Sequence, residues 1–199
     1  MLNFSYKVRG RCLIVSHHEK ETPRKRTFGT NEDALYSDMA LEKESVMVFI
    51  YHRVDKRIIL VKQFRPTVNG DVIEMCAGLM DKNKTPVETA KEEILEECGY
   101  DVQLEDIIHL KTYLTGIGIS GPPQYLFYCE VDESMKAADG GGLKEEGNLW
   151  KCEIIFFNTG WISITIEEAR EMLNEKEVNS PSSVLYAISW FLQNKINVP

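Results

Sequence analysis

The sequence predicts a mixed α/β sandwich, because short apolar strands alternate along the chain with a few amphipathic helices. Two apolar runs, Ser45–Tyr51 and Arg57–Phe64, flank the charged turn Arg53–Lys56 and indicate a β-hairpin. A helix with clear start and stop signals is predicted at Pro86–Cys98. A second helical pattern, Pro181–Lys195, lies near the C-terminus and carries an apolar stripe that indicates packing on the core.

Residues 1–42 are predicted to form a small β-rich arm, followed by a main domain at residues 43–199. Arg11–His17 alternates loosely between apolar and polar residues, as strands do, and the polar stretch His18–Pro23 is typical of a turn. Lys25–Thr30 is predicted to return as a second strand.

The other elements of the main domain are predicted from apolar runs bounded by turn residues. Further strands are expected near Val72–Cys76, Ile107–Thr115, Gln124–Val131 and Lys151–Asn158, with a further helix at Ile166–Asn174. The stripe of the last helix consists of Val184, Leu185, Ile188, Phe191 and Leu192. The glycine-rich segment Ala137–Gly147 is predicted to be a flexible loop.

Composition argues against several classes of function. The 199 residues are 43% hydrophobic and 27% charged, as in soluble globular proteins, and the net charge of −8 argues against a nucleic-acid surface. The longest apolar stretches, such as Val184–Leu192, are too short to span a bilayer, so no membrane partner is expected. Five scattered cysteines and the lack of a signal-peptide pattern indicate a reducing compartment, and the expected location is cytoplasmic.

The acidic helix Pro86–Cys98 is the most informative segment. Thr85 fits its N-cap, Glu88 completes a capping box, and Gly99 fits the C-terminal stop. One apolar stripe is expected to pack on the sheet, through Val87, Ala90, Ile94 and Cys98.

At about 100° per residue, Glu93 and Glu97 lie about 40° apart beside that stripe. Two carboxylates so placed repel each other, and a hard divalent cation such as Mg²⁺ would neutralise them. Glu96 lies further round the helix and could reach a second ion. The alternative is a solvated acidic face, which is common on glutamate-rich helices.

The wider spacing resembles the Nudix box. Seven positions agree in register, namely Gly78, Glu93, Ile94, Glu96, Glu97, Gly99 and Tyr100. Two positions depart: Lys84 stands where the box has Glu, and Glu92 where it has Arg. Those family residues form a structural ion pair, so Lys84 with Glu92 would be the same pair with its charges exchanged. On that hypothesis, Lys84→Glu alone should destabilise, while reversing both charges should be tolerated.

Flanking segments resemble the ADP-sugar and UDP-sugar pyrophosphatase branch of this family, in particular animal UDP-glucose pyrophosphatases (UDP-sugar diphosphatases). They are residues 61–66, 73–78 and 140–147, with Cys76 where ADP-ribose enzymes usually have Pro. The resemblance implies a Nudix-type α/β/α sandwich around a mixed sheet. It also implies a homodimer, with residues 1–42 as the dimerisation arm.

The resemblance implies that the enzyme uses Mg²⁺ as its cofactor and that Mn²⁺ can replace it. The implied metal ligands are Glu93, Glu97, Glu96 and the carbonyl of Ala77, and Glu97 is also counted as catalytic. Arg65 is implied as a phosphate contact, with Gln63 and Glu74 as further substrate-binding residues. Glu146, or secondarily Glu145, is the implied general base on the glycine-rich loop. The alternative for Arg65 is a surface arginine at the end of a strand. The alternative for Glu145 and Glu146 is that both are exposed glutamates on a loop, with no catalytic role.

The expected reaction is hydrolysis of the pyrophosphate of a nucleotide sugar. The expected substrate is UDP-glucose, which gives UMP and glucose 1-phosphate. One alternative is an ADP-ribose pyrophosphatase with the same chemistry. The other is a weakly catalytic Nudix-fold module that binds a nucleotide sugar, and it is suggested by Lys84, Glu92 and the neutral Asn148, where the family often has an acidic residue.

Overall fold

A computed structural model describes residues 43–65, 67–117, 121–141 and 160–197, together with four N-terminal strands. The chain divides into two compact units, residues 1–42 with 114–122, and residues 43–113 with 123–199. In the first unit β1 (Asn3–Val8) pairs antiparallel with β2 (Arg11–Ser16), and β3 (Arg26–Phe28) pairs antiparallel with β4 (Leu35–Ser37). Strands β2 and β3 match predicted strands, whereas β1 and β4 were not predicted. The role of residues 1–42 as a dimerisation arm stays a prediction.

The second unit is built from one mixed sheet and three helices. Its strands are β5 (Ser45–His52), β6 (Arg57–Arg65), β7 (Gly70–Glu74), β8 (Cys76–Leu79), β9 (Ile107–Leu114), β10 (Pro123–Val131) and β11 (Gly160–Thr165). Its helices are α1 (Pro86–Glu93), α2 (Ile166–Asn174) and α3 (Ser182–Phe191). Helices α1 and α3 continue as π-helical turns at Ile94–Cys98 and Leu192–Ile196.

Strand β5 is the centre of the sheet, whose order is β11-β6-β5-β10-β9. On one edge β5 pairs in parallel with β10 along its whole length. Its other edge is shared, because residues 45–48 pair with β8 and residues 50–52 pair with β6. Strand β6 then leaves β5 and pairs with β7. The sheet therefore splits beside β8, the strand that carries Gly78.

Successive side chains of β5 point to opposite faces of the sheet, and this divides the core into two layers. Val46, Val48 and Ile50 join one buried cluster with Ala90, Ile94 and Cys98 from α1 and its π-helical turn. Met47 and Phe49 join the other cluster, with residues of α2 and α3. Helices thus cover both faces of the mixed sheet, which confirms the predicted α/β/α sandwich.

Most predicted elements of the main domain are found close to their expected bounds. The predicted strand Val72–Cys76 is instead two strands separated at Met75, because its halves pair with different neighbours, β6 and β5. Strand β11 was not predicted, and the predicted strand Lys151–Asn158 lies outside the described residues. In the part of the chain that the structure describes, none of the helices is long and apolar enough to cross a membrane.

Candidate active site

Helix α1 begins as its sequence predicts. The Glu88 amide donates to Thr85 Oγ1 at 3.4 Å, and the Thr85 amide donates to Glu88 Oε2 at 2.8 Å, which forms the capping box. The hydrogen bonds from Thr85 lower the pKa of the Glu88 carboxyl. Ala90 and Ile94 are fully buried against the sheet, so the start of the helix and its inner face are both fixed. The glutamates that follow are presented from a rigid element.

The helix does not stay regular to Cys98. Residues 94–98 form a π-helical turn, and the amide of Gly99 reaches back to the carbonyls of Ile94 and Leu95. Gly99 has φ +78°, a left-handed conformation that glycine adopts without a steric penalty. The expectation of an even 100° per residue is therefore wrong beyond Glu93, since a π-helical turn holds an extra residue. Glu96 and Glu97 lie on this widened turn and are half-buried.

Two carboxylates meet the backbone of β8. Glu97 Oε2 accepts a hydrogen bond of 3.0 Å from the amide of Ala77. The Glu93 carboxylate occupies the place where a Cβ at Gly78 would stand. The glycine of the motif therefore has a steric reason, because any side chain at residue 78 would displace Glu93. Two consecutive residues of the strand thus hold the two glutamates that the sequence singled out.

The donor set of this region suits a hard cation. Carboxylate oxygens and a backbone carbonyl, here those of Glu93, Glu97 and Ala77, are the ligand types that Mg²⁺ prefers. Among the described residues, no three His, Cys, Asp or Glu side chains form a group that could hold a metal ion. The residues present fit Mg²⁺ in donor type, and the assignment of these ligands stays a prediction.

The two departures from the motif contact each other. Lys84 Nζ lies 2.7 Å from Glu92 Oε2, which confirms the exchanged ion pair. The sequence did not reveal that Lys82 Nζ also lies 2.9 Å from Glu92 Oε1. Hydrogen bonds from both lysines, with that from Lys84 the stronger cause, lower the pKa of the Glu92 carboxyl. Exchanging both charges of the pair would leave the new lysine facing Lys82, so full tolerance of that double change is no longer expected.

Arg65 is held by Glu74 across the β6–β7 hairpin. Its Nε and one terminal nitrogen donate to the two carboxylate oxygens at 2.7 and 2.6 Å. The pKa of Arg65 is raised, chiefly by this hydrogen bonding to Glu74. Partial burial lowers that pKa, and the negative charges of Glu74 and Glu97 raise it further. The Arg65 side chain is 47% exposed, and the two bonds to Glu74 leave its other N–H donors available to a ligand. Gln63 is half-buried on the same face of β6, two residues before Arg65.

The family model of the NUDIX domain matches residues 42–152, more than half of the 199 residues. The chain belongs to the Nudix family. This membership confirms the resemblance inferred from the motif and the prediction of a Nudix enzyme.

Several relatives align over most of the chain. Uridine diphosphate glucose pyrophosphatase of Bos taurus is 28% identical over 92% of this chain and 91% of the relative. The Mus musculus protein of the same name is also 28% identical, over 80% of this chain and 82% of the relative. GDP-mannose pyrophosphatase of Salmonella typhimurium is 31% identical over 69% of this chain and 68% of the relative.

Among solved structures, an ADP compounds hydrolase superposes with a TM-score of 0.61. It is 15% identical and covers 92% of this chain and 100% of its own, so the likeness bears on the fold alone. The Nudix fold, with its mixed sheet between helices, is thereby shown for this chain.

Helix α1 with its π-helical turn, residues 86–98, is called the Nudix helix below, and it also anchors the segment that leads toward the predicted general base. The amide of Gly141 donates to the Glu97 carbonyl at 2.7 Å, and the amides of Ala137 and Ala138 donate to the Gly99 carbonyl at 2.9 and 3.1 Å. Lys136 Nζ donates to the Cys98 carbonyl at 2.8 Å. These contacts were not predicted, because they join residues far apart in the sequence.

The Lys136 ammonium also lies 4.4 Å from the ring centroid of Tyr100 and 4.6 Å from that of Trp161. The cation is therefore fixed at the end of the Nudix helix by a carbonyl and two rings. The predicted base residues, Glu146 and Glu145, lie outside the described residues, as does Asn148.

Proposed function

We propose that this chain hydrolyses the pyrophosphate of a nucleoside diphosphate sugar. The proposed substrate is UDP-glucose, and the products are UMP and glucose 1-phosphate. The observation that carries the proposal is the placement of Glu93 and Glu97 against the backbone of Ala77 and Gly78. The relatives support the substrate class, because those named above are pyrophosphatases of nucleotide sugars. The two exchanged residues preserve an ion pair, so they do not argue for lost catalysis.

The reaction adds water to one phosphorus and breaks the bridging P–O bond, which yields two phosphomonoesters. Glu93, Glu96, Glu97 and the carbonyl of Ala77 would hold Mg²⁺ or Mn²⁺, which neutralises the diphosphate and acidifies water when bound. The amide of Ala77 fixes the Glu97 carboxylate, and Gly78 leaves room for that of Glu93. Ala77 and Gly78 thus set the positions of two of these carboxylates before substrate arrives.

Binding and proton transfer fall to other residues. Arg65 would bind a phosphate oxygen with the N–H donors that do not contact Glu74, and Glu74 would set the plane of the guanidinium. Gln63 would contact substrate from the same strand face. Glu146, or else Glu145, would accept the proton of the attacking water.

The test is turnover of UDP-glucose, GDP-mannose and ADP-ribose side by side, with products identified and with Mg²⁺, Mn²⁺ or a chelator present. Glu97→Gln should abolish most turnover, whereas Glu171→Gln, an exposed change on α2, should leave it unchanged. Faster cleavage of ADP-ribose would move the substrate to the ADP-sugar alternative. Binding without turnover of any of the three would favour the binding module and refute the proposed reaction.

We further propose a homodimer, which rests on the resemblance alone, and a cytoplasmic location, which rests on the sequence pattern and the scattered cysteines. Light scattering of the full chain, compared with a chain beginning at Lys43, tests whether residues 1–42 carry the dimer contact. A full chain that is monomeric at micromolar concentration would exclude it.

A further inference from the structure

An open cavity of about 360 Å³ adjoins Arg65 within the second unit of the chain. Its walls come from the β6–β7 hairpin, including Glu74, and from residues Val178–Pro181 that connect α2 to α3. Neither the motif nor the family resemblance pointed to this connecting segment. Because Arg65 is the implied phosphate contact, the cavity opens where a group attached to that phosphate would lie.

The connecting segment is fixed to the hairpin. The amide of Ile73 donates to the Asn179 carbonyl at 2.9 Å. The hydroxyl of Ser180 donates to the Ile73 carbonyl at 2.6 Å. These two bonds hold residues 179 and 180 beside β7, so the exposed side chain of Asn179 starts from a fixed backbone at the cavity rim. A wall set in this way costs little ordering entropy when a ligand binds.

The lining indicates what kind of group would fit. Its neutral polar side chains are Thr67, Asn179 and Ser180, and its apolar ones are aliphatic, such as Val72 and Pro181. A nucleobase usually stacks on aromatic rings, and the lining residues that the structure describes include none. Hydroxyl and amide groups can instead exchange hydrogen bonds with the hydroxyls of a sugar. The volume is near the lower end for a ligand site, so it suits one ring rather than a whole nucleotide sugar.

We propose that this cavity binds the hexose of the nucleotide sugar, and that Asn179 is a specificity-determining residue that contacts its hydroxyls. The inference rests on the proposed function and adds to it the place of the glycosyl group. Arg65 contacts the phosphate at the mouth of the cavity, and the hexose lies beyond it, between the hairpin and the α2–α3 connection.

The test compares UDP-glucose with the methyl ester of UDP, in which a methyl group replaces the hexose. Asn179→Ala should lower kcat/KM for UDP-glucose about tenfold, the loss of one good hydrogen bond, and leave the methyl ester unaffected. The variant should fold, because Asn179 contributes its carbonyl, not its side chain, to the bond with Ile73. Asn174→Ala, at the end of α2 and outside the cavity lining, is the matched control and should change neither substrate.

A second measurement does not depend on turnover. Glucose 1-phosphate and inorganic phosphate are titrated into the chain in the presence of Mg²⁺ and followed by NMR. Asn179→Ala should weaken binding of glucose 1-phosphate and leave that of phosphate unchanged. If the wild type cleaves no nucleotide sugar, the proposed function fails and this titration alone decides the inference. Equal losses on both substrates, or on both titrated ligands, would overturn it, and so would no loss on either.

Discussion

Replacing Gly78 by alanine separates the role of the motif glycine in the site from any role in the fold. The added methyl group would fall on the outer atoms of the Glu93 side chain, namely Oε1, Cδ and Cγ. Those atoms belong to the flexible end of a half-buried side chain, so Glu93 can swing aside while β8 stays paired with β5. The expected result is a folded protein whose first candidate metal carboxylate is misplaced.

The magnitudes follow from that geometry. Overpacking a rigid neighbour costs about 1–3 kcal/mol, and a mobile one should cost about 1 kcal/mol or less. For a domain of this size the corresponding fall in Tm is about 2–4 °C. Displacing a catalytic group by about 1 Å costs about 100-fold in rate. Gly78→Ala should therefore lower kcat about 100-fold with only a small loss of stability.

The assay is steady-state hydrolysis of UDP-glucose over a Mg²⁺ titration, with thermal unfolding measured with and without Mg²⁺. The Mg²⁺-induced rise in Tm should shrink in Gly78→Ala, since that rise reports ion binding without turnover. Gly160→Ala is the matched control, because it also lies in a strand and a Cβ there meets no atom of the described residues within 4 Å. Gly78→Ala with wild-type turnover and wild-type Mg²⁺ dependence would refute the steric account of this glycine, and so would equal effects of the two changes.

The ion pair and the hairpin arginine give three further expectations. Lys84→Glu should lower the free energy of unfolding by about 1 kcal/mol in urea titrations. Adding Glu92→Lys should recover only part of that loss, because the introduced lysine faces Lys82. Equal stability of the single and double variants would contradict this expectation. Because the pKa of Glu92 is lowered on folding, its ionised form stabilises above the ordinary value of 4.5 and stops doing so as pH falls through the lowered value. The stability difference between the wild type and Glu92→Gln should therefore shrink below pH 4.5 in unfolding titrations, and a difference that grows there would show the opposite sign. Arg65→Lys should reduce kcat/KM about tenfold with little change in Tm, since lysine cannot form the two-point contact with Glu74; unchanged kcat/KM would remove Arg65 from substrate binding.

The local elements were predictable because their signals are local. Thr85, Glu88 and Gly99 mark the ends of the Nudix helix, and the apolar repeat marks its buried face. The exchanged pair of Lys84 and Glu92 was implied by the resemblance, because the family has an ion pair at these two positions of the motif. In each case one short segment holds all the residues that the inference needs.

Other features could not be predicted from the sequence, because they depend on contacts with residues far away along the chain. The strand around Met75 reads as continuous, and only its pairing with two different neighbours divides it. The π-helical turn after Glu93 has no marker in the residue pattern. Lys136 is an ordinary lysine in the sequence until the fold brings it to the Cys98 carbonyl.

The family, the acidic helix and the glutamates on it were predictable from the residues alone, because a motif with fixed spacing along one helix carries the resemblance. The tertiary structure decided which backbone those glutamates meet, at Ala77 and Gly78, and that Arg65 is oriented by Glu74. It also decided that residues 178–181 line an open cavity beside that arginine. The physical reason is that hydrogen bonds and steric contact act over a few ångströms of space, and the chain brings such groups together only when it folds.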